Sequence, residues 1–419
     1  MKKTYIYILF VLVIGMLTAC RDQMSEIENP NTLYAFNRHD GSYEEKFTGL
    51  WQGINQSYMF WDIDTVNWDN RLNKVLAIAR RLDKKEKVTD DELMQALRIM
   101  ASGLSDFHLV LGVWNNSTGQ YVTYCPANDK IQSRSNYHPY MTVDMHYDLL
   151  KSMRADGRIT ASTISRTDYT GLGVSMITTV LEGGIPYLYL DRFAVTPIYN
   201  YYTNSPIRTF LDNIVRLKSQ NALMGIIIDC RDNGGGMYND LKYMVAPFID
   251  EECVSVRTRC KSGLGHYDYT PWKEWYILPA TSLGNHYIGD LGDIPIVYLQ
   301  NMWSISMAEV TANAISALPN GITIGERSFG ATGAINTAEY EESWSGPINY
   351  MNSTPQDGSY YAYTCTYQTQ LPDPEGEYRS LETKGHTPDI LTSLDVYGVL
   401  YQNNDNQLLR AIEYIYTGR

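Results

Sequence analysis

Four short stretches of this 419-residue chain hold residues whose types could do chemistry together. The first is Ser304-Ile305-Ser306-Met307-Ala308-Glu309. It lies where the apolar run Ile294–Leu299 gives way to helical spacing over Ser306–Pro319. A helix start presents unpaired backbone N–H groups and positive partial charge. A serine there either caps the helix or acts as a nucleophile. The second stretch is Asp229-Cys230-Arg231-Asp232-Asn233-Gly234-Gly235-Gly236. Three glycines after an apolar strand let the backbone turn tightly and aim N–H groups into a cleft, as an oxyanion hole needs. No Gly-Lys-Ser/Thr follows, so the turn is not a phosphate-binding loop. The third is Leu104-Ser105-Asp106-Phe107-His108, where a histidine at a helix end suits a general base or a C-terminal cap. The fourth runs from Glu382 to Asp389, and Glu382 can orient a base or simply be a solvated loop carboxylate.

The elements that must position these residues alternate. Ile185–Phe193 and the fully apolar Ala222–Cys230 read as strands, the second of the type buried in a mainly parallel sheet. Ser205–Gln220 and Met237–Ile249 read as helices, and Gly321–Gly325 continues the sheet. Residues 332–370 suit β-hairpins, and Asn403–Tyr416 a closing helix. This alternation predicts an α/β core. Upstream, Phe47–Met59, Trp68–Leu82 and Asp90–Leu104 carry apolar residues at helical spacing. The expected division is an N-terminal helical domain over 41–108, a connecting region over 109–184 with a helix near Val143–Arg154, and a catalytic α/β domain over 185–419.

The net charge of −13 argues against nucleic acid as a partner. The 34 tyrosines suit strands or contact surfaces. At the N-terminus, a basic Met1-Lys2-Lys3 and the apolar Tyr5–Met16 precede Leu17-Thr18-Ala19-Cys20. This resembles the lipobox of bacterial lipoproteins. It implies a signal peptide over 1–19, a lipid on Cys20, a flexible tether over 20–40, and a lipid-anchored place in the cell envelope, at the outer membrane. Export implies an oxidising compartment, in which Cys125, Cys230, Cys253, Cys260 and Cys365 cannot all pair within one chain. Cys253 and Cys260 could bridge a hairpin. No Cys/His spacing matches a zinc site, and neither metal nor cofactor is expected.

Taken together, the four stretches resemble the tail-specific, C-terminal-processing serine peptidases, the family that includes the tricorn core and the interphotoreceptor retinoid-binding proteins. The family's Asp-x-Arg-x-Asn-x-Gly-Gly is matched by Asp229, Arg231, Asn233, Gly235 and Gly236. Its Ser-x-Ser-x-x-Glu is matched by Ser304, Ser306 and Glu309, and its Gly-Glu-x-(Ser/Thr)-x-Gly by Gly325, Glu326, Ser328 and Gly330. Its closing Gly-x-x-Pro-Asp is matched by Gly385, Pro388 and Asp389. The resemblance implies a ClpP/crotonase-like spiral of ββα units. It implies Ser306, rather than Ser304, as nucleophile, with the backbone N–H of Met307 and of Gly235 or Gly236 as oxyanion donors. Ala331 stands where the Ser–Lys branch carries its lysine, so the resemblance turns to the tricorn-like branch, in which His108 and Glu382 complete the site. Ser105 does not sit directly before the histidine, unlike its tricorn counterpart. No clear PDZ carboxylate-binding loop is present, and Tyr169–Val174 is only a faint echo of one. The expectation is a serine endopeptidase acting on peptide or protein. The alternative is a catalytically inactive homologue that binds peptide or an apolar ligand.

Overall fold

A computed structural model describes residues 42–263, 265–335, 350–352 and 360–419. The expected signal peptide, lipidated Cys20 and tether lie outside the described residues. In chain order the elements begin with helices α1 (Tyr43–Ser57), α2 (Trp68–Leu82) and α3 (Asp90–Ala101). Strands β1 (Val110–Asn115) and β2 (Gln120–Tyr124) follow, then α4 (Pro126–Gln132), α5 (Val143–Ala155), β3 (Ser165–Tyr169), β4 (Val174–Leu181) and β5 (Ile185–Leu190). Next come α6 (Val195–Tyr201), α7 (Pro206–Ser219), β6 (Ile226–Asp229), α8 (Leu241–Met244), β7 (Cys253–Cys260), β8 (Lys273–Ile277), β9 (Ser282–Leu283), β10 (His286–Tyr287) and β11 (Ile296–Gln300). The chain closes with α9 (Met307–Ser316), β12 (Gly321–Gly325), β13 (Tyr350–Asn352), β14 (Tyr360–Tyr363), β15 (Tyr367–Pro372), β16 (Tyr378–Arg379), β17 (Ile390–Leu391), α10 (Val396–Tyr401) and α11 (Asn406–Thr417).

The centre is a seven-stranded sheet in the order β17-β12-β11-β6-β5-β4-β3. Its β5, β6, β11, β12 and β17 run parallel, while β3 and β4 add an antiparallel edge. Successive residues on each strand bury opposite faces. Ile226 and Ile228 of β6 pack with Phe210 and Ile214 of α7 and Val310 of α9, whereas Ile227 packs on the other face with Leu150 of α5 and Leu408 of α11. Helices on both faces explain why these strands are apolar throughout. The expected α/β class, a ClpP/crotonase-like arrangement of ββα units behind a helical N-terminal unit, is what the chain adopts.

Two boundaries move. The central sheet begins at β3, not at residue 185, because β3 and β4 pair with β5 from inside the supposed connecting region. The N-terminal unit is not helical alone. Capping boxes at Ser42–Glu45 and Thr89–Glu92 start α1 and α3. These helices then pack on a four-stranded sheet, β13-β14-β1-β2, in which β14 arrives from far downstream. Met237–Ile249, expected as one helix, is a short α8 flanked by two single 3₁₀ turns, since Pro247 withholds a backbone donor. Cys253 and Cys260 are the two ends of the one strand β7, too far apart to bridge, and none of the five described cysteines forms a disulfide.

Candidate active site

The C-terminal ends of β6, β11 and β12 lie side by side, with Leu299 opposite Asp229 and Gln300 opposite Gly325. Open parallel sheets place their sites at such ends. The turn after β6 is tied down by ion pairs. Arg231 is buried between Asp229 (2.6 Å) and Asp405 (2.8 Å), the residue that also caps α11. Asn233 Nδ2 donates to the Leu190 carbonyl, and its Oδ1 accepts the Gly235 N–H at 2.8 Å.

The turn after β11 carries both serines, and the fold separates their roles. Ser304 is fully buried. Its hydroxyl donates to the Cys230 carbonyl at 2.7 Å and accepts the Asn301 N–H, so it fastens this turn to the one after β6. Ser306 is only partly buried and precedes α9 with φ 58° and ψ −115°, a left-handed conformation that serine rarely adopts. Its backbone N–H donates to Glu309 at 3.1 Å. Gly235 has φ +86°, and a Cβ built on it would stand 2.6 Å from Ser306 Cβ, so the glycine is what lets the two turns touch.

Oxyanion donors can be judged from which N–H groups are already engaged. The Gly235 N–H is held by Asn233, which removes it from the pair expected from sequence. Gly236, at φ +142°, lies so close to Phe193 that a Cβ would meet the Phe193 carbonyl oxygen at 2.0 Å. Among the described residues the Gly236 and Met307 N–H groups have no acceptor. Both residues line a cavity of about 690 Å³ shared by Ser306 and His108.

His108 follows a turn held from below. The buried Tyr58 hydroxyl accepts the N–H groups of Ser105 (2.8 Å) and Asp106 (3.0 Å), while the Ser105 hydroxyl donates to Asp64. Ser105 is therefore an anchor of the turn. The His108 ring sits beside Cys365 of the N-terminal core, with Nδ1 3.4 Å from Sγ, and the Cys365 thiol donates to Asp106 Oδ1 at 3.2 Å. Asp106 also accepts the N–H groups of His108 (2.8 Å) and Cys365 (2.9 Å). Burial lowers the His108 pKa, opposed by the Asp106 charge, and burial pushes the Cys365 thiol well up. Ser306 and His108 line the same cavity without a direct hydrogen bond. Such bonds commonly tighten only with substrate present.

Glu382 does not touch the His108 ring. It accepts three backbone N–H groups, from Phe107 (3.0 Å), Thr332 (2.9 Å) and Gly333 (2.8 Å). Burial, reinforced by the Asp106 charge, raises its carboxyl well above the ordinary value. It thus joins the histidine turn to the segment after β12. Glu309 holds the same segment one step earlier through Gly330 (2.7 Å), Ala331 (2.8 Å) and the Ser328 hydroxyl (2.6 Å). Ala331, in the lysine's place, is fully buried and offers its backbone alone. Asp389 pins the middle of β12 through the N–H and hydroxyl of Thr323. Sequence reading missed Cys365 as a neighbour of the histidine, and it gave Asp106 no role of its own. Cys365 is 257 residues away, and the sequence left its pairing open.

Residues 185–392 match the sequence model of peptidase family S41, and over that segment the chain is a member of that family. A carboxy-terminal-processing protease of Bartonella bacilliformis is 26% identical over 213 residues, 50% of this chain, and the chain spans only 39% of that relative's length. In structure, the chain is similar to a candidate peptidase of Parabacteroides merdae, with a TM-score of 0.59 at 17% identity over 90% of this chain and 98% of that one. It is also similar to mature CPAF in complex with lactacystin, with a TM-score of 0.53 at 11% identity over 90% and 99% of the two chains.

Proposed function

We propose that this S41-family chain is an envelope-anchored serine endopeptidase that cleaves peptide bonds through an acyl-enzyme. The observation that carries the reading is the meeting of a strained Ser306 and a pKa-lowered His108 at one cavity, beside two N–H groups without acceptors among the described residues. Ser306 Oγ attacks the scissile carbonyl carbon, and its proton passes to His108 Nε2, the nitrogen turned away from Cys365. The N–H groups of Gly236 and Met307 hold the oxygen that becomes negative. His108 returns the proton to the leaving amine. A water then repeats the sequence and frees Ser306. Gly235 serves by close approach, Glu382 by holding the histidine turn against the 330–333 segment, and Asp106 and Cys365 by orienting the ring. Lipid on Cys20 would hold the enzyme at the outer membrane, with peptide or protein as substrate.

The competing reading is a binding protein without turnover, favoured by Ala331 in the lysine's place and by the missing Ser306–His108 hydrogen bond. A fluorophosphonate probe on the purified protein decides between them. Labelling that disappears in Ser306→Ala supports the peptidase. A native protein that labels no better than Ser306→Ala is a binder.

A further inference from the structure

Asp106, His108 and Cys365 come from two distant stretches and form a compact set of three different donors. A carboxylate oxygen, an imidazole nitrogen and a sulfur all lie within 4.8 Å of one another. Among the described residues this is the only group of at least three His, Cys, Asp or Glu side chains able to surround a metal ion. We propose that these three residues form a zinc-class metal site whose occupancy silences Ser306. Its inhibitory consequence rests on the peptidase reading, but the binding of metal does not.

Two of the three ligand–ligand distances suit a small tetrahedral ion. Zinc bonds of about 2.0–2.3 Å require neighbouring ligand atoms to stand about 3.3–3.6 Å apart. Cys365 Sγ stands 3.4 Å from His108 Nδ1 and 3.2 Å from Asp106 Oδ1. Thiolate with imidazole selects zinc and its congeners over magnesium or calcium. The ligands are held from behind, since Asp106 Oδ2 accepts the Thr364 hydroxyl and the Cys365 N–H. Asp106 and Cys365 are fully buried, and of the three only His108 lines the cavity.

Binding would release the Cys365 thiol proton to solvent and form a metal thiolate. Neutral imidazole that gives its Nδ1 lone pair to a metal carries its one proton on Nε2. That nitrogen then has no lone pair to receive the Ser306 proton. The ion would block the base without touching the nucleophile.

The test uses the purified, metal-stripped protein and Co²⁺ as a spectroscopic probe. One equivalent is expected to give a thiolate-to-cobalt charge-transfer band that Zn²⁺ displaces. Cys365→Ser should abolish the band, and His108→Ala should weaken Co²⁺ binding by about tenfold or more. Saturating Zn²⁺ should slow fluorophosphonate labelling of Ser306 by about tenfold or more, with recovery on chelation. A wild-type protein without the band, or a band that survives in Cys365→Ser, overturns the site. Should Cys365→Ser fail to fold, undiminished Co²⁺ affinity in His108→Ala overturns it instead. Labelling unchanged by saturating metal overturns the silencing. A metal-free protein that never labels refutes the peptidase reading, while the cobalt band still decides the site.

Discussion

Glu309 and Glu382 divide four consecutive backbone N–H groups between them. Gly330 and Ala331 donate to the first, and Thr332 and Gly333 to the second. Glu309 lies in the first turn of the serine's helix, and Glu382 also holds Phe107, next to the histidine. The 330–333 segment is thereby a strap between the serine side and the histidine side. Glu382→Ala would leave three N–H groups without their acceptor, at about 1–3 kcal/mol for each that stays buried and unsatisfied. The expected total is about 3 kcal/mol or more, read by urea denaturation, together with loss of labelling. A change below about 1 kcal/mol would mean that the strap keeps its place without Glu382.

The conformation of Ser306 predicts how its substitutions separate function from stability. A non-glycine residue at φ 58° stores about 1–3 kcal/mol. Ser306→Gly should relieve part of it and raise stability by about 1 kcal/mol, while Ser306→Ala stays near neutral. Both should lose fluorophosphonate labelling. If the serine were chiefly a helix cap, Ser306→Ala would instead cost about 1 kcal/mol.

Burial lowers His108 below its ordinary value of 6.5, and a base must be neutral to accept a proton. In metal-free protein, the labelling rate should therefore reach half its plateau below pH 6.5 as pH rises from the acid side. A midpoint above 6.5 would show that the Asp106 charge outweighs burial. His108→Ala should abolish turnover and leave the melting temperature near wild type.

Gly235→Ala places a methyl group 2.6 Å from Ser306 Cβ, at a φ of +86° that disfavours side chains. The serine turn must shift to admit it. Since a displacement of about 1 Å can cost about a hundredfold in rate, a loss of at least that size in kcat/KM is expected. Full activity in Gly235→Ala would disprove the close packing of the two turns.

His386 is buried, and burial lowers its pKa to about 4 from 6.5. Its Nδ1 faces Gln300 Oε1 at 2.9 Å, which suits a neutral ring donating that N–H. The folded value lies below the unfolded one, so its contribution is complete above pH 6.5 and lost as pH falls towards 4. The shift corresponds to a fall of about 3 kcal/mol across that window. His386→Asn should flatten the pH dependence of stability there, even if it lowers stability at pH 7.

The sequence by itself determined the central strands β5, β6, β11 and β12, the helix after Ser306, and Ser306 as the candidate nucleophile. These are local properties: the apolar run of β11, the helical spacing after Ser306, and the glycines that permit left-handed turns after β6. Ser306 could be chosen over Ser304 from motif position, and the buried Ser304 hydroxyl supplies the physical reason. The surroundings of His108 were decided only by tertiary structure. Strand β14 crosses from the C-terminal half to pair with β1, and the link after it places Cys365 against Asp106 and the histidine ring. Spacing along the chain holds no record of such a pairing, because long-range strand register is set by packing. Glu382 shows the same limit. Its place near the site was legible, but its partners were not, since they are backbone N–H groups whose direction exists only once the strap has folded.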